Sequence, residues 1–412
     1  MKGWRGNLVK FTFVAALMAL VFSTVQWRDH LVWRQGQDEL RTDLVTIVGK
    51  WDTPTITVER DGVRDTITPG PQADGTELDV LPGFWTYWVN VDALLFGLGA
   101  FCYFLTVLIA GSRWWWLLRV NGMDVSLLEA LRFTWIGVFF NTVVPGATGG
   151  DVIKAVYIMR RCPGHRVPAL VSVIVDRVLG MASLAILGAI VVLFALDDGF
   201  GEIAIAIWAV IAGLSLLAAI AFSRRLRNLV RLRSLLDKLP SKLSHLLKLF
   251  DQAVYFYRGH KNVIVASLVA GIGNHVVSVM SVVLIGDALG VDLPWVAYFV
   301  LIPVINIISA VPLMPNGWGL GEFLYQKLFA TYGAGYLEGT ANAARVMGTR
   351  GVALSVLYRL HQTLWSLLGG VFVLVGKDRL TKADIEQEVA REEAEEQRAP
   401  GLDDGDAPQG RP

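Results

Sequence analysis

Long apolar runs, separated by short polar breaks, fill most of this chain. Six runs have the pattern of full membrane crossings, at about 8–27, 84–111, 167–196, 203–223, 262–290 and 350–376. A crossing helix needs roughly 20 mostly apolar residues to span a hydrocarbon core of about 30 Å. Two further apolar blocks, 125–158 and 294–333, are interrupted by proline and glycine. Between 28 and 83 the pattern changes and acids become frequent. There "TITVERDGVRDTIT" alternates on either side of Asp61-Gly62, which predicts a β-hairpin with a type I′ turn. After Gly376 the chain is polar and acidic, as in a short helix or a disordered tail, too small and polar for a catalytic domain.

Composition agrees with the pattern. Of 412 residues, 54% are hydrophobic and 18% charged, too apolar for a soluble protein of this size. The formal net charge of +1 points to no charged macromolecular partner, and nothing in the sequence points to nucleic acid. Cys102 and Cys162 supply neither a disulfide framework nor a metal cluster. The six histidines are scattered, so no metal and no cofactor is expected. His275 and His361 lie in apolar runs and read as interhelical hydrogen-bonding groups. The first run, Leu8 to Val25, follows Lys2, Arg5 and Lys10 and lacks a small-residue cleavage site, which reads as a retained signal-anchor helix.

Basic residues set orientation. They concentrate at the N-terminus, near Arg113 and Arg119, around Lys154, Arg160, Arg161 and Arg166, and between 224 and 261. The loop 197–202 has none, and 28–83 is rich in acids. Cytoplasmic N- and C-termini satisfy this distribution. The stretches around Arg119 and Arg160 then share a side, so 125–158 must enter the membrane and return as a re-entrant hairpin. "RWWWLLR", Arg113 to Arg119, reads as an aromatic belt with cytoplasmic anchors. The segment 224–261 reads as a basic amphipathic stretch on the anionic inner leaflet.

The two interrupted blocks follow one plan. In the first, Asn141 precedes Pro145, Gly146, Gly149 and Gly150, and Asp151 closes the break. In the second, Asn306 precedes Pro315, Gly317, Gly319 and Gly321, and Glu322 closes it. Each is followed by a crossing that carries an arginine, Arg177 after Asp176 and Arg359. The expected fold is an all-α polytopic membrane protein, an inverted repeat with two re-entrant broken hairpins and a small extracytoplasmic β element. Its parts are a signal anchor (1–27), an extracytoplasmic insert (28–83), a first repeat core (84–196), a helix (197–223), the basic segment (224–261), a second repeat core (262–376) and an acidic tail (377–412). Inverted repeats with broken helices point to a transporter site.

A half-helix starting at Gly150-Asp151 or Gly321-Glu322 offers free N–H groups and a positive dipole end. A guanidinium holds a phosphate through two hydrogen bonds. Charged groups at a helix centre cost about 2.5–3.5 kcal/mol on insertion scales, so they pair or act. The structural alternative stays open: the two acids serve equally as helix caps, Arg177 and Arg359 as their structural ion-pair partners, or Arg177 as a partner for its neighbour Asp176.

The runs "FFNTVVPGATGGDVIKAVYIMRR", "SVIVDRVLG" and "NGWGLGE" resemble the flippase-like membrane proteins related to the transmembrane region of lysylphosphatidylglycerol synthase. The resemblance spans about 84–376 and implies a bacterial or archaeal cytoplasmic-membrane protein that moves or modifies lipids. It marks Pro145, Gly146, Gly149, Gly150, Asp151, Asp176, Arg177, Pro315, Gly319, Gly321 and Glu322. Bifunctional relatives carry a soluble aminoacyl-transfer domain after the membrane part; here only the acidic tail follows, so no enzymatic activity is expected. The expected function is a lipid flippase or lipid-linked transporter acting on a membrane phospholipid or a polyprenyl-linked lipid. The alternative is a non-transporting scaffold for envelope lipid or glycan enzymes, with an extracytoplasmic protein partner at 28–83.

Overall fold

The computed structural model describes residues 25–35, 38–143, 149–195, 200–222, 259–309, 319–337 and 342–375, and isolated positions besides (19, 20, 22, 23, 256, 257, 340, 387 and 391). Most of the first apolar run, the basic segment 224–261 and the acidic tail lie outside the described residues.

A six-stranded antiparallel sheet comes first: β1 (Asp29–Gln35), β2 (Asp38–Val48), β3 (Ile56–Arg60), β4 (Val63–Ile67), β5 (Gly70–Pro71) and β6 (Glu77–Leu81), in the order β4-β3-β2-β1-β6-β5. The hairpin read at Asp61-Gly62 joins β3 to β4, with Arg60 opposite Val63. Both turn residues have positive φ, 52° and 78°, the signature of a type I′ turn. The element is larger than a hairpin. Leu31, Val45, Ile47, Ile56, Val58 and Leu78 form its own apolar core.

The helices follow as α1 (Phe84–Val89), α2 (Ala93–Val120), α3 (Leu127–Val143), α4 (Gly149–Arg161), α5 (Arg166–Val192), α6 (Gly201–Phe222), α7 (Lys261–Ala288), α8 (Trp295–Ser309), α9 (Leu320–Leu328) and α10 (Ala343–Val375). A π-helical turn, Phe329–Gly333, extends α9. Three of these, α2, α5 and α7, are long and apolar enough to cross a membrane by length and composition. At 1.5 Å per residue, a 28-residue helix such as α2 spans about 42 Å. The run read as 84–111 is divided, because Asp92 accepts from the N–H groups of Leu94 and Leu95 and starts a new helix. That helix runs on to Val120, which changes the surroundings of Arg113.

Packing between helices is regular. The helices α2 and α7 run antiparallel: the Asp92 N–H donates to Ala288 O at 2.9 Å, Ser281 Oγ donates to Gly99 O at 2.7 Å, and Arg113 lies against Gly271. The helix α5 packs on α4 and on α8, and α10 packs on α9 and on α3. Each of these helices thus touches the second arm of the break before it and the first arm of the other break. The arms α3 and α4 fold back on one another: Arg161 pairs with Glu129 at 2.7 Å at their feet, while Gly150 meets Asn141 near the break.

The sheet is fixed to the helices. Asp29 is buried and accepts from Ile47 N (2.8 Å), Gly83 N (2.7 Å) and Thr86 Oγ1 (2.6 Å). Arg350 on α10 donates to Tyr87 Oη (3.0 Å) and Val291 O (2.9 Å), and its guanidinium lies 5.2 Å from the ring centroid of Trp51. Val32 and Leu81 pack on Val346.

Candidate functional site

At the first break, the Asn141 side chain in the last turn of α3 accepts the Gly150 N–H at 2.9 Å. It thereby satisfies one of the free donors at the start of α4. The arms approach so closely here that a Cβ on Gly150 would overlap Gly137 O and the Asn141 side chain. Gly149 opens the helix, and Asp151 pairs with Arg177 on α5, each side chain 32% exposed. One turn further, Lys154 Nζ lies 3.5 Å from Asp176 Oδ2 and 3.8 Å from the ring centroid of Trp114. Arg113 grips the same carboxylate: Nε is 2.9 Å and Nη2 2.8 Å from Oδ1, and Nη2 also donates to the Asp176 carbonyl at 3.0 Å. Side-chain exposure falls to 6% for Arg113, 8% for Lys154 and 13% for Asp176. Five charged groups from α2, α4 and α5 therefore meet around one broken helix.

The second break is built differently. Gly319 stands at φ +82°, a conformation that favours glycine, and its N–H donates to Glu322 Oε2 at 2.6 Å. Glu322 Oε1 pairs with Arg359 on α10, with Ser355 Oγ 3.5 Å away. A Cβ on Gly321 would collide with the Arg359 guanidinium. Glu322 is fully buried and Arg359 is 11% exposed. Asn306 is half-buried on α8. Pro145, Gly146 and Pro315 lie outside the described residues.

Several readings of the sequence need correction. Asp176 does not pair with its neighbour Arg177 but with Arg113 and Lys154, while the pairing read for Arg177 with Asp151, and for Arg359 with Glu322, is present. Arg113 and Lys154 are not loop anchors, since both are buried among the helices. Trp114 is no belt residue either: it is completely buried and donates through Nε1 to Ser172 Oγ at 3.1 Å. Within "RWWWLLR" only Trp116 and Arg119 are exposed to the extent that an interfacial belt requires. The cause is the extent of α2, which buries one face of this stretch before ending. A sequence signal existed, in that Arg113 follows 19 helix-forming residues without a break after Ala93. His275 meets Gly180 O at 3.0 Å on a neighbouring helix. His361 packs instead against the rings of Phe96, Tyr103 and Tyr358. Among the described residues, no group of three or more His, Cys, Asp or Glu could hold a metal ion.

The chain matches the family model described as lysylphosphatidylglycerol synthase TM region over residues 82–372. It is also similar to a UPF0104 membrane protein of Pyrococcus horikoshii, 23% identical over 319 residues, covering 72% of this chain and 91% of that protein. The family match opens directly after β6, so the sheet precedes it.

Proposed function

Because this chain belongs to the family of lysylphosphatidylglycerol synthase transmembrane regions, and is thereby an integral membrane protein, we propose that it is a lipid flippase or lipid-linked transporter of the cytoplasmic membrane. The proposal includes both termini on the cytoplasmic side, two re-entrant breaks and an inverted repeat in which α2–α5 and α7–α10 are equivalent. The antiparallel contact of α2 with α7, and the crossed packing of α5 and α10, support that equivalence.

One observation carries the reading: each broken helix starts with an acid held by an arginine from the following long helix. Buried ionisable groups in apolar bundles are costly, and in membranes they mark substrate and ion paths. In the proposed cycle, an anionic headgroup displaces the carboxylate from its arginine, the apolar chains stay in lipid, and rocking of one repeat against the other alternates access. Asp151 and Glu322 hold Arg177 and Arg359 while the site is empty. No bond is made or broken by the protein.

Reconstituted liposomes test this. Arg177→Gln, and Arg359→Gln made together with Glu322→Gln so that no buried charge is left unpaired, should abolish headgroup translocation while the protein stays folded, and unchanged transport would sink the role. Mass spectrometry of lipids co-purified with the wild type and with these variants identifies the cargo.

The sheet favours a second reading, a scaffold for envelope enzymes, because it lies outside the family match and exposes Leu40, Leu44 and Val63. Removing residues 30–80 does not separate the two readings, since Trp51 packs on Arg350 and Tyr87 and its loss would reach the helices. Leu44→Lys with Val63→Lys does separate them: a scaffold loses its partner and a transporter keeps its flux.

A further inference from the structure

We propose that the edge of β2 over Leu40–Leu44 is a self-pairing surface, which joins two copies of this chain through one continuous sheet. The proposal stands apart from the transporter reading and needs only the sheet and its register.

The edge is open. On one side β2 pairs with β1 along Asp38–Val45, while on the other β3 reaches only Thr46, Ile47 and Val48. Among the described residues, no strand pairs with the rest of that side. The Ile47 N–H points toward β1, where Asp29 accepts it at 2.8 Å. Main-chain groups alternate between the two edges of a strand, so those of Leu44 and Thr42 point to the open one. Open edges invite pairing with another chain. Here Leu40 and Leu44, on either side of an exposed Thr42, are both more than half exposed.

The residues of this edge select the partner. Leu40-Arg41-Thr42-Asp43-Leu44 is complementary to itself when reversed. With Thr42 opposite its own copy, Arg41 of each chain stands opposite Asp43 of the other, and Leu40 opposite Leu44. Opposite charges, paired threonines and apolar pairs are the cross-strand contacts that stabilise antiparallel sheets. Within the strand, Arg41 Nε already donates to Asp43 Oδ1 at 2.9 Å, so both lie on one face. Pairing closes them into a ring of alternating charges around a two-fold axis. The register against β1 slips between Trp33 and Arg34, which puts a bulge at Leu40. The regular part of the new ladder is therefore Arg41–Asp43, with the leucines as apolar contacts at its ends. Two copies in one membrane are related by an axis along its normal. One face of the sheet, through Val32 and Leu81, packs on Val346 in the first turn of α10, so an axis perpendicular to the sheet runs along the helices. Confinement to a membrane raises the effective concentration, which lets a short edge suffice.

The test is disulfide cross-linking in membranes, in the full chain with Cys102→Ser and Cys162→Ser. Oxidation should link two copies through Thr42→Cys, because directly opposite residues of an antiparallel pair fit the roughly 4.4–6.8 Å between Cα atoms that a disulfide needs. Val63→Cys, exposed on β4 at the far edge of the sheet, should give no link. Added to Thr42→Cys, either Arg41→Asp or Asp43→Arg puts like charges opposite each other and should lower the cross-linked fraction about tenfold. Co-expressed under different tags, these two charge variants complement one another, and the mixed pair should cross-link as the parent does. Mixing cannot repair a misfolded chain, so recovery reports the contact itself. No link through Thr42→Cys, an equal link through Val63→Cys, charge variants that cross-link like the parent, or a mixed pair no better than either variant alone overturns the proposal.

Discussion

Arg359 reaches the fully buried carboxylate of Glu322 across the gap between α10 and α9, while the corresponding pair of Asp151 and Arg177 stays one-third exposed. The same chemistry thus sits in two environments. Breaking a buried pair by removing one partner costs about 3–5 kcal/mol, because the remaining charge is left uncompensated. A pair open to solvent is screened and weaker. Glu322→Ala should therefore lower the melting temperature in detergent clearly more than Asp151→Ala. Equal losses would show that the two environments do not differ as the geometry implies.

Gly150 makes a second, steric prediction. A methyl group there would overlap the Gly137 carbonyl, which is backbone and cannot rotate away. Overpacking typically costs about 1–3 kcal/mol. Gly150→Ala should therefore destabilise the protein and loosen the contact between α3 and α4. Gly273→Ala, where a Cβ meets nothing within 4 Å, is the control. A thermal melt that treats both variants alike would refute the close approach.

Asp29 accepts three hydrogen bonds, one from Ile47 N within the sheet and two, from Gly83 N and Thr86 Oγ1, that join the sheet to α1. Each donor left unpaired in a buried site costs about 1–3 kcal/mol. Asp29→Ala should expose the segment 29–81 to limited proteolysis at temperatures where the wild type resists it. If the variant resists as the wild type does, the remaining ties, Arg350 with Trp51 and Val32 and Leu81 on Val346, suffice to hold the sheet.

How much of this was legible in the sequence depends on the range of the interaction. The Asp61-Gly62 turn is local, so two residues between alternating runs sufficed to read it. The pairing of β6 with β1 was missed because it joins residues more than 40 positions apart, a contact no local pattern encodes. Proline and glycine interrupt the apolar sequence at 144–148 and 310–318, which lie outside the described residues, and Asn141 and Gly150, on either side of the first stretch, meet. Partner choice was visible in part: Asp151 for Arg177 and Glu322 for Arg359 were among the readings, beside Asp176 for Arg177. Asp176 and Arg177 are neighbours in sequence, yet they take different partners, Asp176 holding Arg113 on α2 and Lys154 on α4, and Arg177 holding Asp151. Arg113 and Lys154 were misread for a related reason. A base near a helix end looks like an anchor until the neighbours that bury it are known.

The last prediction concerns orientation, on which the transport reading depends. Asp124 lies between α2 and α3 with its side chain almost completely exposed, at the same end as the Glu129–Arg161 feet of the first break. Asp61 sits at the tip of the β3–β4 turn, in a sheet tied to the opposite end of α2 through α1. In the proposed topology, the basic residues near Arg119 and Arg160 put the first end in the cytoplasm. In cells carrying Cys102→Ser and Cys162→Ser, a membrane-impermeant maleimide should label Asp61→Cys from outside and leave Asp124→Cys unlabelled until the membrane is opened. Neither change should disturb the fold, since Asp124 contributes one exposed ion pair worth at most about 1 kcal/mol. The one-third-exposed Asp151–Arg177 pair belongs to the arms whose feet lie at the Asp124 end, and the closed Glu322–Arg359 pair to the other break. Labelling in this pattern therefore places the more accessible pair in the break entered from the cytoplasm. The reverse pattern would turn the whole bundle over, and with it the side from which a headgroup first meets Arg177.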